Sequence, residues 1–396
     1  MLTPEYLQGC ADEVVAIFAE VESEIVSDIA RRILRMGFVS ETTEWQIHKA
    51  RELGLLNGDV QKILADATGL AEAEIIRMMQ QAGMDTLAYD DAIYRMAGLL
   101  PLPLSESPAL MAILLHGAED TLKLLRNFTK TTAVATQTAF INACDKAWLQ
   151  IMSGAYSPEE AIKRAISDLA KRQVIEIIYP SGHKSSMENA VRRAVITGTN
   201  QCCAKLQLAR AEEMGCELVE VTSHAGARPS HAVWQGQVYS LRQNHPKYAY
   251  FYEATQYGTG PGLCGWNCYH NFFPYFEGLS TPAFSRDPSK EAGRDNATDY
   301  ENQQKQRAYE RKVRASKKEC AVLNAAYKAA PDNMKASIKK DFDKAAILLK
   351  RREKALDDFC ARTGRTRLPE REQTPGFDRS ASSRAVWAFR KHHNNP

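Results

Sequence analysis

Residues 222–240 read TSHAGARPSHAVWQGQVYS, and after a tyrosine-rich stretch residues 257–278 read YGTGPGLCGWNCYHNFFPYFEG. Four of the nine histidines, two of the nine cysteines and two of the five tryptophans fall in this block, so side chains able to do chemistry are concentrated there. Its glycines, prolines and aromatics follow no helical period. Irregular loops held on a regular scaffold are where binding and chemistry concentrate. The block therefore reads as a loop-rich module that the rest of the chain supports.

Working outward, the sequence becomes periodic on both sides. Upstream, Glu217–Thr222 (ELVEVT) alternates like a strand, Ser186–Met214 reads as a long helix closed by Gly215, and VIEIIY (174–179) reads as another strand before the turn at 180–183. A hairpin strand is expected near Gln237–Leu241. Ser157-Pro158-Glu159-Glu160 caps a helix over 158–173. Further upstream, Val14, Ile17, Val21, Ile25, Ile29 and Ile33 recur at spacings of three and four and predict one long helix over 4–36. Asn57-Gly58-Asp59 and Ala67-Thr68-Gly69 read as breaks, which predicts short helices at 44–53, 57–68, 71–81 and 86–98. Pro101, Pro103 and Pro108 mark a linker before a helical region at 109–153. Downstream, helices are expected at 298–330 and 334–363, with Pro331-Asp332 between them. A basic end at 364–396 is poor in apolar residues and is expected to be mobile when alone. The fold class is mostly α with a central α+β domain. Its parts are a helical N-terminal array (1–153), a small sheet or hairpin module (154–280) and long basic C-terminal helices (281–396).

At 396 residues, several cores can be buried. No charged-then-apolar leader opens the sequence, and no apolar run is long enough to span a bilayer, so the reading expects a soluble protein made in a cytoplasm. Nine cysteines, an odd number without framework spacing, predict reduced thiols. Fixed charge is uneven, at roughly −9 over 1–150, +1 over 151–280 and +11 over 281–396. The basic end could neutralise phosphates without reading sequence, with Arg311, Lys312, Arg314, Lys317 and Lys318 as candidate contacts. The plainer reading is a solvated helix face.

Within the block, His224, His231, Cys264, Cys268 and His270 are candidate soft-metal ligands, and four of the five would make a closed zinc site. The plainer alternative packs the two cysteines under Trp266, Phe272, Phe273, Tyr275 and Phe276. Arg228, before the stiff Pro229, offers a donor fork that can tie the loop down. Trp234-Gln235-Gly236 reads as a turn with the indole as a core plug, and Asn267 as a turn former. An enzyme reading would use His231 as a base with metal assistance, or Cys268 as a nucleophile paired with His231. No suitably placed carboxylate, phosphate-binding loop or nucleophile elbow accompanies them.

The run His224-Ala-Gly-Ala-Arg228-Pro229-Ser-His231-Ala-Val-Trp234-Gln235-Gly236, followed by Gly265-x-Asn267-Cys268-x-His270, resembles the signature of the phage minor capsid protein 2 family. That family is similar to Mu F-like phage head morphogenesis proteins. Tyr179-Pro-Ser-Gly182-His, Arg192-Arg193-Ala-Val-Ile-Thr197-Gly-Thr-Asn200-Gln201 and Gln303-x-x-Gln306-Arg307-x-x-Glu310-Arg311 extend the likeness. Tyr269 stands where the family usually has arginine. The resemblance implies a structural, non-enzymatic minor capsid protein of a tailed phage or prophage, located in the virion. It implies a few copies bound to the portal or major capsid protein, and a part in head assembly and DNA delivery. Packaged double-stranded DNA is a further expected partner and a membrane is not. A metal-dependent nuclease or hydrolase centred on His231 and Cys268, or a virion-carried host-directed effector, are the alternatives.

Overall fold

A computed structural model describes residues 2–37, 42–171, 176–179 and 181–394. The first helices are α1 (Pro4–Gly9) and α2 (Asp12–Met36). They are followed by α3 (Thr42–Met96), α4 (Pro108–Met152) and α5 (Pro158–Lys171). The middle of the chain carries β1 (Glu176–Ile178), β2 (Lys184–Ser186), α6 (Met187–Glu213), β3 (Leu218–Val221) and α7 (Pro229–Ala232). Then come β4 (Val238–Ser240), α8 (Phe251–Thr255), β5 (Phe272–Tyr275) and α9 (Pro288–Glu291). Helices α10 (Asn296–Ala329), α11 (Asp332–Thr363) and α12 (Arg379–Asn394) complete the chain. The protein is mostly helical, with two small antiparallel sheets in its middle region, as its periodicity indicates.

The N-terminal helices differ in detail from the sequence reading. Thr3 caps α1, its hydroxyl accepting the Tyr6 N–H at 3.2 Å, and the chain turns at Cys10 before α2 begins. The four short helices expected between 44 and 98 are one helix, α3. Leu56, Val60, Leu64, Ala67, Ala71, Ile75, Met78 and Ala82 are buried at spacings of three and four, so one apolar stripe passes through both supposed breaks. Burial along such a stripe offsets the roughly 1 kcal/mol that each interior glycine costs. Of the strand expected at 174–179, Val174 and Ile175 lie outside the described residues, and Glu176–Ile178 pair with Lys184–Ser186.

By contact the chain forms two units, each assembled from three separate stretches. One comprises Met1–Val15, Gly69–Arg126 and Asn189–Gln304. Its sheet has the order β4-β3-β5, so β3 is central and all four of its residues are buried. Pro274 lies in β5, an edge strand, where a missing N–H is tolerated. The core over this sheet gathers Ala204, Val219, Val221, Trp234, Tyr239, Phe251, Leu263 and Phe272 with Cys264 and Cys268. Glu220, also buried, accepts the N–H groups of Ala283 and Phe284 at 2.7 and 2.8 Å, which anchors the loop after β5.

The other unit comprises Ala16–Thr68, Asn127–Glu188 and Lys305–Pro396. Trp45 stacks on Trp148 with ring centroids 5.2 Å apart. Arg32, 3 % exposed, is met by Asp28, Glu52 and Asp59. Where the sequence reading expects little order in the free chain, the structure carries α12. Ala381, Ala385 and Ala388 are buried at spacings of four and three, and α12 lies against α11. Small residues at helical spacing, easily missed beside the surrounding arginines, make that face.

Candidate metal centre

Helix α6 builds the floor of the site. Thr197, Asn200, Ala204 and Gln207 recur at spacings of three and four, so they share one face. Along that face the helix meets successive backbone groups of the second motif. The Thr197 hydroxyl accepts the Asn267 N–H at 3.3 Å. Asn200 donates from Nδ2 to the carbonyls of Cys268 at 3.1 Å and His270 at 2.9 Å. Gln207 donates to the Phe272 carbonyl and, at 2.9 Å, to Asp90.

The remaining walls are turns. Gln256, Cys264 and Asn267 all take left-handed backbone conformations, with φ of 54°, 58° and 51°. Between them the chain folds back so tightly that a Cβ at Gly262 or Gly265 would strike the carbonyl of Gln256 or Gly260. Arg228 donates to the Trp266 carbonyl at 3.2 Å, fastening this loop to the start of α7. Gly236, at φ +60°, lies where a Cβ would collide with the Ser285 backbone. Trp234 is buried against His231 and His270, whereas Trp266, expected in the aromatic cluster, is 62 % exposed.

Three of the five candidate ligands converge. His231, Cys268 and His270 are each 2 % exposed or less, and one ligand atom from each lies within 4.8 Å of the others. Cys268 Sγ is 3.8 Å from His231 Nδ1 and 3.7 Å from His270 Nδ1. Two ligands on one tetrahedral zinc, at ordinary Zn–N and Zn–S lengths, stand about 3.5–3.6 Å apart. Cys264 turns away, its Sγ beside Asn200 Oδ1 and the His270 carbonyl at 3.7 and 3.8 Å. His224 stacks on His270 with centroids 4.4 Å apart and stands outside the three-atom group.

Hydrogen bonding fixes which imidazole nitrogens carry protons. His231 Nε2 faces the Pro261 carbonyl at 2.8 Å, and a carbonyl can only accept. The Gln235 amide is oriented by backbone at both ends, because Oε1 accepts the His224 N–H at 3.2 Å and Nε2 donates to the Arg286 carbonyl at 3.3 Å. His270 Nε2, 2.9 Å from that same Oε1, must therefore be the donor. Burial keeps both rings neutral, pushing His231 down to about 4 and His270 well below the usual imidazole range. Each ring thus turns an Nδ1 lone pair toward one thiol, and a thiol has a single proton to offer. The Cys268 thiol itself is pushed up to about 11 by burial. The backbone N–H of His270 also points at Cys268 Sγ, at 3.4 Å. The group is rich in acceptors and short of protons, a balance that a cation redresses. Outer hydrogen bonds of this kind orient metal-bound histidines. The group could hold a metal ion.

Other expected residues are placed as follows. Pro229 opens α7, and Asn267 sits at the turn before Cys268. Tyr269 packs with Leu2, Leu7, Ala82 and Cys203, and its ring meets the edge of His224. Of the candidate phosphate contacts, Arg314 pairs with Glu188, Lys317 with Glu372 and Lys318 with Glu22, while Arg311 and Lys312 are exposed. Asn200, Asn271 and Asn296 have roles that the sequence reading did not assign. Asn271 donates to Asn200 Oδ1, and Asn296 exchanges hydrogen bonds with both backbone groups of Ala227. The run Thr197-Gly-Thr-Asn200 carried the signal for the first of these, polar residues on the inward face of a helix.

With both motifs and their scaffold in view, the comparison with known proteins is decisive. The sequence pattern of phage minor capsid protein 2 matches residues 2–361. The chain belongs to the phage minor capsid protein 2 family. It is 25 % identical over 288 residues to a structural protein of Lactococcus phage LL-H, covering 69 % of this chain and 76 % of that one. It is 41 % identical over 70 residues to a structural protein of Lactococcus phage mv4, covering 18 % of this chain and about half, 53 %, of the relative. No solved structure matches. As a minor capsid protein 2 family member it is a phage capsid structural protein, a component of the virion. Among its described residues, no helix is long and apolar enough to cross a membrane.

Proposed function

We propose that this minor capsid protein works at the portal or the inner face of the phage head, in several copies per virion, with residues 222–278 held rigid by one zinc ion. The observation that carries the metal is the pair of Nδ1 lone pairs turned toward the single thiol of Cys268. Zinc accepts imidazole nitrogen and thiolate sulfur, and a structural zinc holds irregular chain in place. His231, on α7, would thereby be clipped to Cys268 and His270, beside β5. The acidic 1–153 region would dock on portal or major capsid protein. The basic 281–396 region would meet packaged DNA, with Arg311 and Lys312 the exposed members of the original set. Such contact would be independent of sequence and would weaken steeply with salt.

A hydrolase centred on His231 and Cys268 is less well supported. A working nucleophile needs an accessible, easily ionised thiol, and Cys268 is 1 % exposed and held protonated by burial. Mass spectrometry of purified particles tests the virion role. A few copies that stay with the particle are expected, and delivery of the protein from particles into newly infected cells would favour the virion-carried, host-directed effector. Elemental analysis tests the clip. One zinc per chain and a melting temperature that falls on chelation are expected, and a metal-free protein with an unchanged melt would overturn it.

A further inference from the structure

Three converging ligands leave one tetrahedral position to fill. If water filled it the centre would be open, as catalytic zinc sites are, and if a fourth side chain filled it the centre would be closed and structural. Four observations bear on which. The three ligand residues are almost wholly buried, at 2 % exposure or less. Cys264, the sulfur nearest in sequence, is held at 3.7 Å from Asn200 Oδ1 by the same amide that fixes the Cys268 and His270 carbonyls. The His224 ring lies 4.4 Å from the His270 ring, centroid to centroid, with the planes tilted 32°. Finally, His224 Nδ1 faces the Ala225 carbonyl at 3.0 Å and must donate to it, so in the neutral ring the lone pair is on Nε2.

The backbone around His224 is fixed. Its N–H is held by Gln235 Oε1, the atom that orients His270. Two and three residues on, the Gly226 N–H is held by Ser289 Oγ and the Ala227 N–H by Asn296 Oδ1, both at 3.0 Å. Its side chain is half-buried, so a turn about its own bonds need not move that anchored chain.

We propose that His224 is the fourth ligand, turning from its stack on His270 to bind through Nε2 when zinc occupies the His231–Cys268–His270 group. This rests on the metal reading above. It makes the centre a closed set of three imidazoles and one thiolate, a fastener with no position for a substrate.

The test uses the full chain, with zinc titrated against a chromophoric chelator. X-ray absorption on the wild-type zinc protein should show one sulfur and three imidazole nitrogens. His224→Ala should weaken zinc by more than the roughly 100-fold that outer-shell partners reach, and Cys264→Ser should leave the affinity unchanged. A shell of one sulfur, two imidazoles and a water oxygen would overturn the inference while leaving the metal site intact. So would an unchanged affinity in His224→Ala. A wild-type protein that takes up no zinc would overturn the metal reading itself. Because absorption is read on the wild type, misfolding of a variant does not blunt the test.

Discussion

Asn200 holds His270 from seventy residues away, its side-chain amide donating to the His270 carbonyl at 2.9 Å while also holding the Cys268 carbonyl at 3.1 Å. Both partners are buried, so neither carbonyl can turn to water instead. Asn200→Ala takes the amide donor from the buried Cys268 carbonyl, leaves the His270 carbonyl only weak thiol donors and removes the acceptor that Asn271 uses. A loss of about 2–4 kcal/mol is expected, read as a lower denaturant midpoint at an unchanged slope.

In the zinc centre proposed above, Gln235 would act on the metal without touching it. Gln235→Leu preserves bulk but removes the acceptor that forces the proton onto His270 Nε2. Zinc affinity should fall about 10–100-fold, with one zinc per chain still bound at saturation. Chelator competition measures the first and elemental analysis the second.

Asp90 should give stability a pH dependence of unusual sign for a carboxylate. It is wholly buried, and desolvation pushes its carboxyl up to about 7, against the opposing hydrogen bond from Gln207. Asp91, Arg210, Tyr89, Tyr94 and Cys216 are among the titratable groups around it. A folded pKa above the unfolded one means that the folded state holds the proton more tightly. The contribution is complete below the unfolded value near 4 and is lost as pH rises through 7. Asp90→Asn should therefore match wild type near pH 4 and gain on it as pH rises, by on the order of 4 kcal/mol above pH 7. Equal pH profiles for the two proteins would contradict this.

Gly58 and Gly69 lie exposed within α3, with nothing near the position a Cβ would take. Alanine at either should stabilise by about 0.5–1 kcal/mol. Thermal melts of the single and double variants would show the gains adding, because the sites are eleven residues apart on the helix.

These glycines also show where sequence reading fell short. Asn57-Gly58-Asp59 has every local mark of a turn, and burial of Leu56 and Val60 on either side outweighs it. The stripe recurs at spacings of three and four, and a continuous period prevails over local breakers. For the sheet, alternation in ELVEVT gave β3, whereas FFPY carries no alternation and holds a proline, so β5 emerged only with its pairing to β3. At the site, residue types named the five candidate ligands, but spacing along a chain cannot tell which three point inward. The orienting partners were harder still. The Pro261 carbonyl belongs to the backbone, and Asn200 and Asn296 lie 68 and 69 residues from the groups they hold. Long-range polar contacts leave no periodic trace.

The patchwork make-up of the two units bears on how the protein is made. Residues 1–15 belong with 69–126 and 189–304, so the opening helix leaves the ribosome long before the strands of its own unit have been synthesised. Residues 16–68 belong with 127–188 and with 305–396, so the completion of their unit waits longer still. Contacts so distant in sequence slow folding and keep apolar surface exposed meanwhile. Nascent chains stalled before residue 304 should therefore be sensitive to protease along α2 and α3 and should depend on chaperones, whatever their later place in the virion.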